Sequence, residues 1–90
     1  MGFFGSNKRV DHKEFKKALW KLHEHGFSHL QIEEVENIFR GDLDESGASA
    51  GLSPEELSKG IHWLKEHREN HHLSGEQIVK LEEVLGHYLL

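Results

Sequence analysis

Leu52-Ser53-Pro54-Glu55-Glu56-Leu57 holds, in six residues, the signals that begin a helix. The first backbone amides of a helix have no carbonyl partner within it. Ser53 suits the N-cap, where its hydroxyl accepts from the amide three residues on, and Glu56 suits the position whose carboxylate reaches back to the cap's own amide. Pro54 falls at the first helical position, where its missing N–H costs nothing. Leu52 and Leu57 flank the box as a hydrophobic staple that sets the entry angle. The same pattern recurs as Val10-Asp-His-Lys-Glu-Phe15, Phe27-Ser-His-Leu-Gln-Ile32 and Leu73-Ser-Gly-Glu-Gln-Ile78. The chain therefore reads as four helices that start alike, with caps Asp11, Ser28, Ser53 and Ser74.

Downstream of each start the apolar residues keep helical spacing: Phe15, Ala18, Leu19, Leu22; then Ile32, Val35, Ile38, Phe39; then Leu57, Ile61, Leu64; then Ile78, Leu81, Leu85, Tyr88. No stretch alternates with the period of a strand. Gly26, Gly41 and Asn70 suit left-handed stops after the first three helices. The spacing predicts an all-α, four-helix domain with helices near 11–25, 28–40, 53–69 and 74–88, in a single domain 10–90 preceded by a flexible tail, 1–9. The connection between the second and third helices is the one long one.

A chain of 90 residues carries one core, and it contains no cysteine, which excludes a disulfide scaffold and a thiol nucleophile. With 30% charged residues, a mean hydropathy of −0.66 and no long apolar run, it contains no membrane span. No secretory signal is evident, and a cytoplasmic location is the default expectation. Net charge is −5, unevenly spread: Lys8, Arg9, Lys13, Lys16, Lys17 and Lys21 face only Asp11, Glu14 and Glu24 in the first third, and the rest is acidic. That balance argues against nucleic acid as a partner. No nucleophile elbow, phosphate loop or His-Glu-x-x-His motif is present, so the chain does not read as an enzyme.

The long connection reads Asp42-Leu-Asp44-Glu-Ser46-Gly47-Ala-Ser-Ala-Gly51 before the Leu52 box, with five carboxylates and no Lys or Arg between Asp42 and Glu56. Oxygen donors two apart, a turn glycine, an apolar anchor and a glutamate at a helix start suit a hard divalent cation. On these residues the segment resembles an EF-hand, the helix–loop–helix calcium site. The resemblance implies that Asp42, Asp44, Ser46 and Glu56 are metal ligands, that Gly47 is the turn glycine and Leu52 the loop anchor, and that the cofactor is weakly bound calcium. Asp42 to Glu56 is fifteen residues where the family has twelve, so three extra residues fall within Ala48 to Gly51. The sequence shows one such loop, which raises a homodimer that would dock two of them, or another protein partner.

Two alternatives stand beside calcium: a metal-free helical interaction domain whose acidic loop is merely solvated, and a transition-metal binder built on the nine histidines. His67 and His71 lie four apart, a spacing that can hold one Zn²⁺ or Ni²⁺, but a structural site wants four ligands, and exposed residues near a helix C-terminus are the plainer reading. His25 and His29 straddle the Gly26 turn. Met1-Gly2 to Ser6 formally fits a myristoylation pattern, but Phe3 suits it poorly, and Phe3, Phe4, Lys8 and Arg9 read as a tail without membrane contact. Trp20 and Trp63 read as residues at the core rim.

Overall fold

The computed structural model describes residues 8–43 and 51–90. Its helices are α1 (His12–Glu24), α2 (His29–Leu43), α3 (Pro54–Glu66) and α4 (Gly75–His87), with a single 3-10 turn, Arg68–Asn70, between the last two. The fold is all-α. All four capping boxes form. Asp11, Ser28, Ser53 and Ser74 accept from the amides of Glu14, Gln31, Glu56 and Gln77 at 2.8, 3.2, 3.1 and 3.1 Å. The returning side chains accept from the four cap amides at 3.1, 2.9, 2.8 and 2.9 Å. The staple residues Val10, Phe27, Leu52 and Leu73 are all buried.

The helices form a ring in which α2 and α4 each pack on both α1 and α3. Phe15 of α1 meets Phe39 of α2 edge-on at 6.2 Å, and Leu22, Val35, Leu64, Leu81 and Leu85 complete the centre. The close approach of α2 to α3 depends on Gly60, because a Cβ there would stand 2.3 Å from Cε1 of the buried Phe39 ring.

The helix stops divide. Gly26 takes φ +96°, and the amides of Gly26 and Phe27 donate to the carbonyls of His23 and Leu22, a Schellman closure of α1. Phe27 thereby caps the end of one helix and staples the start of the next. Gly41 does not stop α2, which runs on through Asp42 to Leu43. Leu43 continues the buried row of Val35 and Phe39 at a four-residue interval, and its burial carries the helix past the glycine. Helix α3 ends at Glu66 rather than near 69, and Asn70 lies within the 3-10 turn without positive φ.

The starts are cross-linked in pairs. Before α1 and α3, Val10 and Leu52 form an isolated antiparallel bridge, each amide donating to the other's carbonyl at 2.9 Å. At α2 and α4 the capping glutamines meet: Gln31 Nε2 donates to Gln77 Oε1 at 2.8 Å and Gln77 Nε2 to Gln31 Oε1 at 3.1 Å. Gln31 Nε2 also donates to the His72 carbonyl at 2.7 Å. A carboxylate could cap either helix, but it lacks the N–H groups that join them.

Two outcomes follow for chemical denaturation. Gly60→Ala should cost about 1–3 kcal/mol despite alanine's better helix propensity, whereas Gly86→Ala, which meets nothing within 4 Å, should add about 0.5–1 kcal/mol. Gln77→Glu should cost about 1 kcal/mol although glutamate fills the same capping position in α1 and α3, because the exchange with Gln31 is lost.

Candidate metal-binding loop and its surroundings

The loop leaves α2 and re-enters the described structure at Gly51, where the chain takes φ +91°. A side chain at this position would be strained by that φ and would stand 2.9 Å from the Val10 carbonyl oxygen. Gly51 is thus part of the loop's anchored end. Immediately after it the Val10 bridge grips Leu52, and the Ser53 box holds Glu56 in the first turn of α3.

Glu56 is half-buried, and among the described residues two contacts fall on its Oε1: the Ser53 amide donates to it at 2.8 Å, and Arg9 Nη1 lies 3.5 Å away. The same Arg9 nitrogen is 3.4 Å from the Gly51 carbonyl oxygen, a long contact at best. Arg9 and Lys8, expected in the tail, are both in contact with the domain, Lys8 Nζ donating to the Leu90 carbonyl. Closing both carboxylate oxygens on a divalent ion would require exchanging the capping bond and the Arg9 contact for that ion.

Of the four expected ligands, Asp42 falls in the last turn of α2 and Glu56 in the first turn of α3. Asp44 and Ser46 lie outside the described residues, as do Gly47, most of the extra loop residues, and the Phe3 and Phe4 segment. Among the described residues, no three His, Asp or Glu side chains converge as a metal-binding group. The donor types at the four expected positions, three carboxylates and a hydroxyl, fit a hard oxygen-seeking cation such as calcium.

His71 is not the exposed residue its position suggested. Its ring is buried: the Leu73 amide donates to Nδ1 at 3.0 Å, which leaves the proton on Nε2, and Nε2 donates to the Leu64 carbonyl at 2.7 Å. With both ring nitrogens bonded to backbone, His71 ties the end of α3 to the start of α4. His67 lies flat on Trp63, centroids 4.6 Å apart, with Nδ1 donating to the Trp63 carbonyl at 3.0 Å. Beyond them Glu34 of α2 clamps His72, accepting from its amide at 3.0 Å and from Nδ1 at 2.8 Å. Burial pulls the Glu34 carboxyl upward, but the hydrogen bonds from the His72 side chain and amide, with the electrostatic attraction of that ring, outweigh it and hold the group below its usual value. Trp20, expected at the core rim, is 71% exposed.

Comparison with known protein families, curated proteins and solved structures finds no match for this chain. No described helix is long and apolar enough to cross a membrane.

Sequence reasoning missed Arg9, Gly51 and Glu34. A left-handed glycine just before the Leu52 box was a legible signal for Gly51, whereas Arg9 and Glu34 act across 47 and 38 residues of chain separation, which no local pattern records.

The Glu34 clamp has a definite pH signature. A carboxyl whose native value is lowered adds stability above its unfolded value, about 4.3, and loses it as pH falls through the native one. Glu34→Gln should therefore lower the melting temperature at pH 7, and the gap from the parent chain should close progressively below about pH 4.5 in a thermal-melt series.

Proposed function

We propose that this chain is a calcium-responsive helix–loop–helix module resembling an EF-hand, in which Asp42, Asp44, Ser46 and Glu56 hold the ion. The Val10–Leu52 bridge carries the reading. An ion loop needs its exit held while its entrance adapts, and the bridge holds Leu52 by two backbone hydrogen bonds four residues before Glu56, the last of the loop's carboxylates. Val10 precedes a capping box of the same form, so in this reading the chain's own segment at residue 10 is the loop's pairing partner, and no second copy is needed for it. Calcium supplies a hard positive charge that gathers carboxylates otherwise repelling one another across the connection. Asp42 at the end of α2 and Glu56 at the start of α3 would be joined through it, coupling two helices already in contact. The role is that of a binding module, structural or sensory, in a soluble helical domain.

A second reading, the metal-free interaction domain, is favoured by one contact. Arg9 already places a cation beside Glu56, so the loop's exit has a resident counter-charge without any metal.

Titration separates the two. Calcium should bind with a Kd of about 10⁻⁵–10⁻³ M, the weak end expected for three carboxylates in an enlarged loop, and should raise the melting temperature by linkage. Asp42→Ala and Glu56→Gln should abolish the rise. Glu56→Gln is the cleaner variant, because glutamine fills the same capping position in α2 and α4 and so removes the ligand charge while keeping the cap. Arg9→Gln should tighten binding about threefold to tenfold by removing the competing cation. Calorimetry showing no calcium heat and no stabilisation at about 10 mM would leave the metal-free domain standing.

A further inference from the structure

At the end of the α1–α2 groove nearest the Gly26 turn, the rings of His23 and His29 lie with centroids 5.3 Å apart and planes 43° from parallel. In the sequence it is His25 that straddles this turn with His29. In the structure His25 is the C-cap of α1 and lines depressions against α4, and His23 takes its place beside His29.

The framework under the pair is fixed by local bonding. The Gly26 and Phe27 amides close α1, and the Ser28 box opens α2 directly afterwards. His23 Nδ1 donates to the Phe27 carbonyl at 3.3 Å, which puts the proton of the neutral ring on Nδ1 and leaves a lone pair on Nε2. Metal-ligating histidines are set in this way, with one ring nitrogen bonded to a carbonyl and the other bare. The His29 ring is exposed and makes no hydrogen bond among the described residues. The histidines at the end of α3 offer no such pair: both ring nitrogens of His71 are bonded to backbone, and Nδ1 of His72 is held by Glu34.

Two imidazoles bound to one tetrahedral ion by bonds of about 2.0 Å have their centroids about 5 Å apart. The observed separation matches that span, so closing on an ion takes ring rotation and no helix movement. We infer that His23 and His29 form a chelating site for a borderline transition ion, Cu²⁺, Ni²⁺ or Zn²⁺, with water in its remaining positions. Imidazole nitrogen selects these ions over calcium and magnesium, which take oxygen. The site is open, because no third His, Asp or Glu side chain among the described residues joins the pair. Cu²⁺ binds it most tightly, ahead of Ni²⁺ and Zn²⁺. The inference does not depend on an ion in the acidic loop, whose expected donors are oxygens.

Trp20 supplies the readout, since its centroid is 6.5 Å from that of His23 and bound Cu²⁺ quenches a neighbouring indole. Trp63→Phe leaves Trp20 as the sole tryptophan in the full chain. Copper chloride alone should then quench its emission with one-to-one stoichiometry, and excess calcium should not reverse the effect. His23→Gln and His29→Gln should each weaken Cu²⁺ binding about tenfold, because the second ligand no longer binds intramolecularly. His25→Gln and His67→Gln should leave it unchanged, and far-ultraviolet circular dichroism should be the same throughout. In nuclear magnetic resonance of the parent chain, Zn²⁺ should shift the His23 and His29 ring signals together. Undiminished quenching in His29→Gln overturns the proposal, and that variant breaks no hydrogen bond of the described structure. A loss in His25→Gln or His67→Gln equal to that in His29→Gln overturns it in favour of scattered binding to surface histidines. Zinc shifts at His23 without His29 overturn it as well.

Discussion

Each helix in this protein begins with amides that have nothing to bond, and the same reciprocal cap satisfies them four times. The caps also serve as joints. Where the capping residue is glutamate, at α1 and α3, the starts are linked through backbone, Val10 to Leu52. Where it is glutamine, at α2 and α4, they are linked through the capping side chains themselves. Helices that would be marginal as isolated segments of 13 to 15 residues are thereby held in direction at their starts as well as by their packed apolar faces.

The choice of glutamate or glutamine has a chemical reason. Two glutamates at the α2 and α4 starts would bring carboxylates together with no proton between them, whereas two primary amides each offer a donor and an acceptor and complete a closed exchange. At α3 the charge is retained, and Arg9 sits beside it. The Glu56 carboxylate therefore has two claims on it, the helix start and whatever cation approaches the loop. That competition bears on any ion affinity the loop has.

Histidine divides along the same line between framework and surface. His71 is held in one tautomer by two backbone groups and carries the turn from α3 to α4, with Glu34 gripping the residue after it. His23 and His29 instead meet at the open end of the α1–α2 groove. Nothing in the spacing of the nine histidines distinguishes these roles, because burial is a property of what packs around a residue.

The sequence by itself determined the four helix starts, the all-α class and the buried stripe of each helix, since caps, staples and periodicity act within a few residues of chain. It also marked the Gly26 stop, where a left-handed turn follows directly from local bonding. It misjudged Gly41, because the burial of Leu43 against the core outweighed a local preference. Tertiary structure alone decided that Val10 pairs with Leu52, that Gly60 lies beneath Phe39, that Arg9 approaches Glu56 and that Trp20 faces solvent. These are contacts or exposures set by other helices, and the free energy of such long-range packing leaves no periodic trace in the chain that makes it.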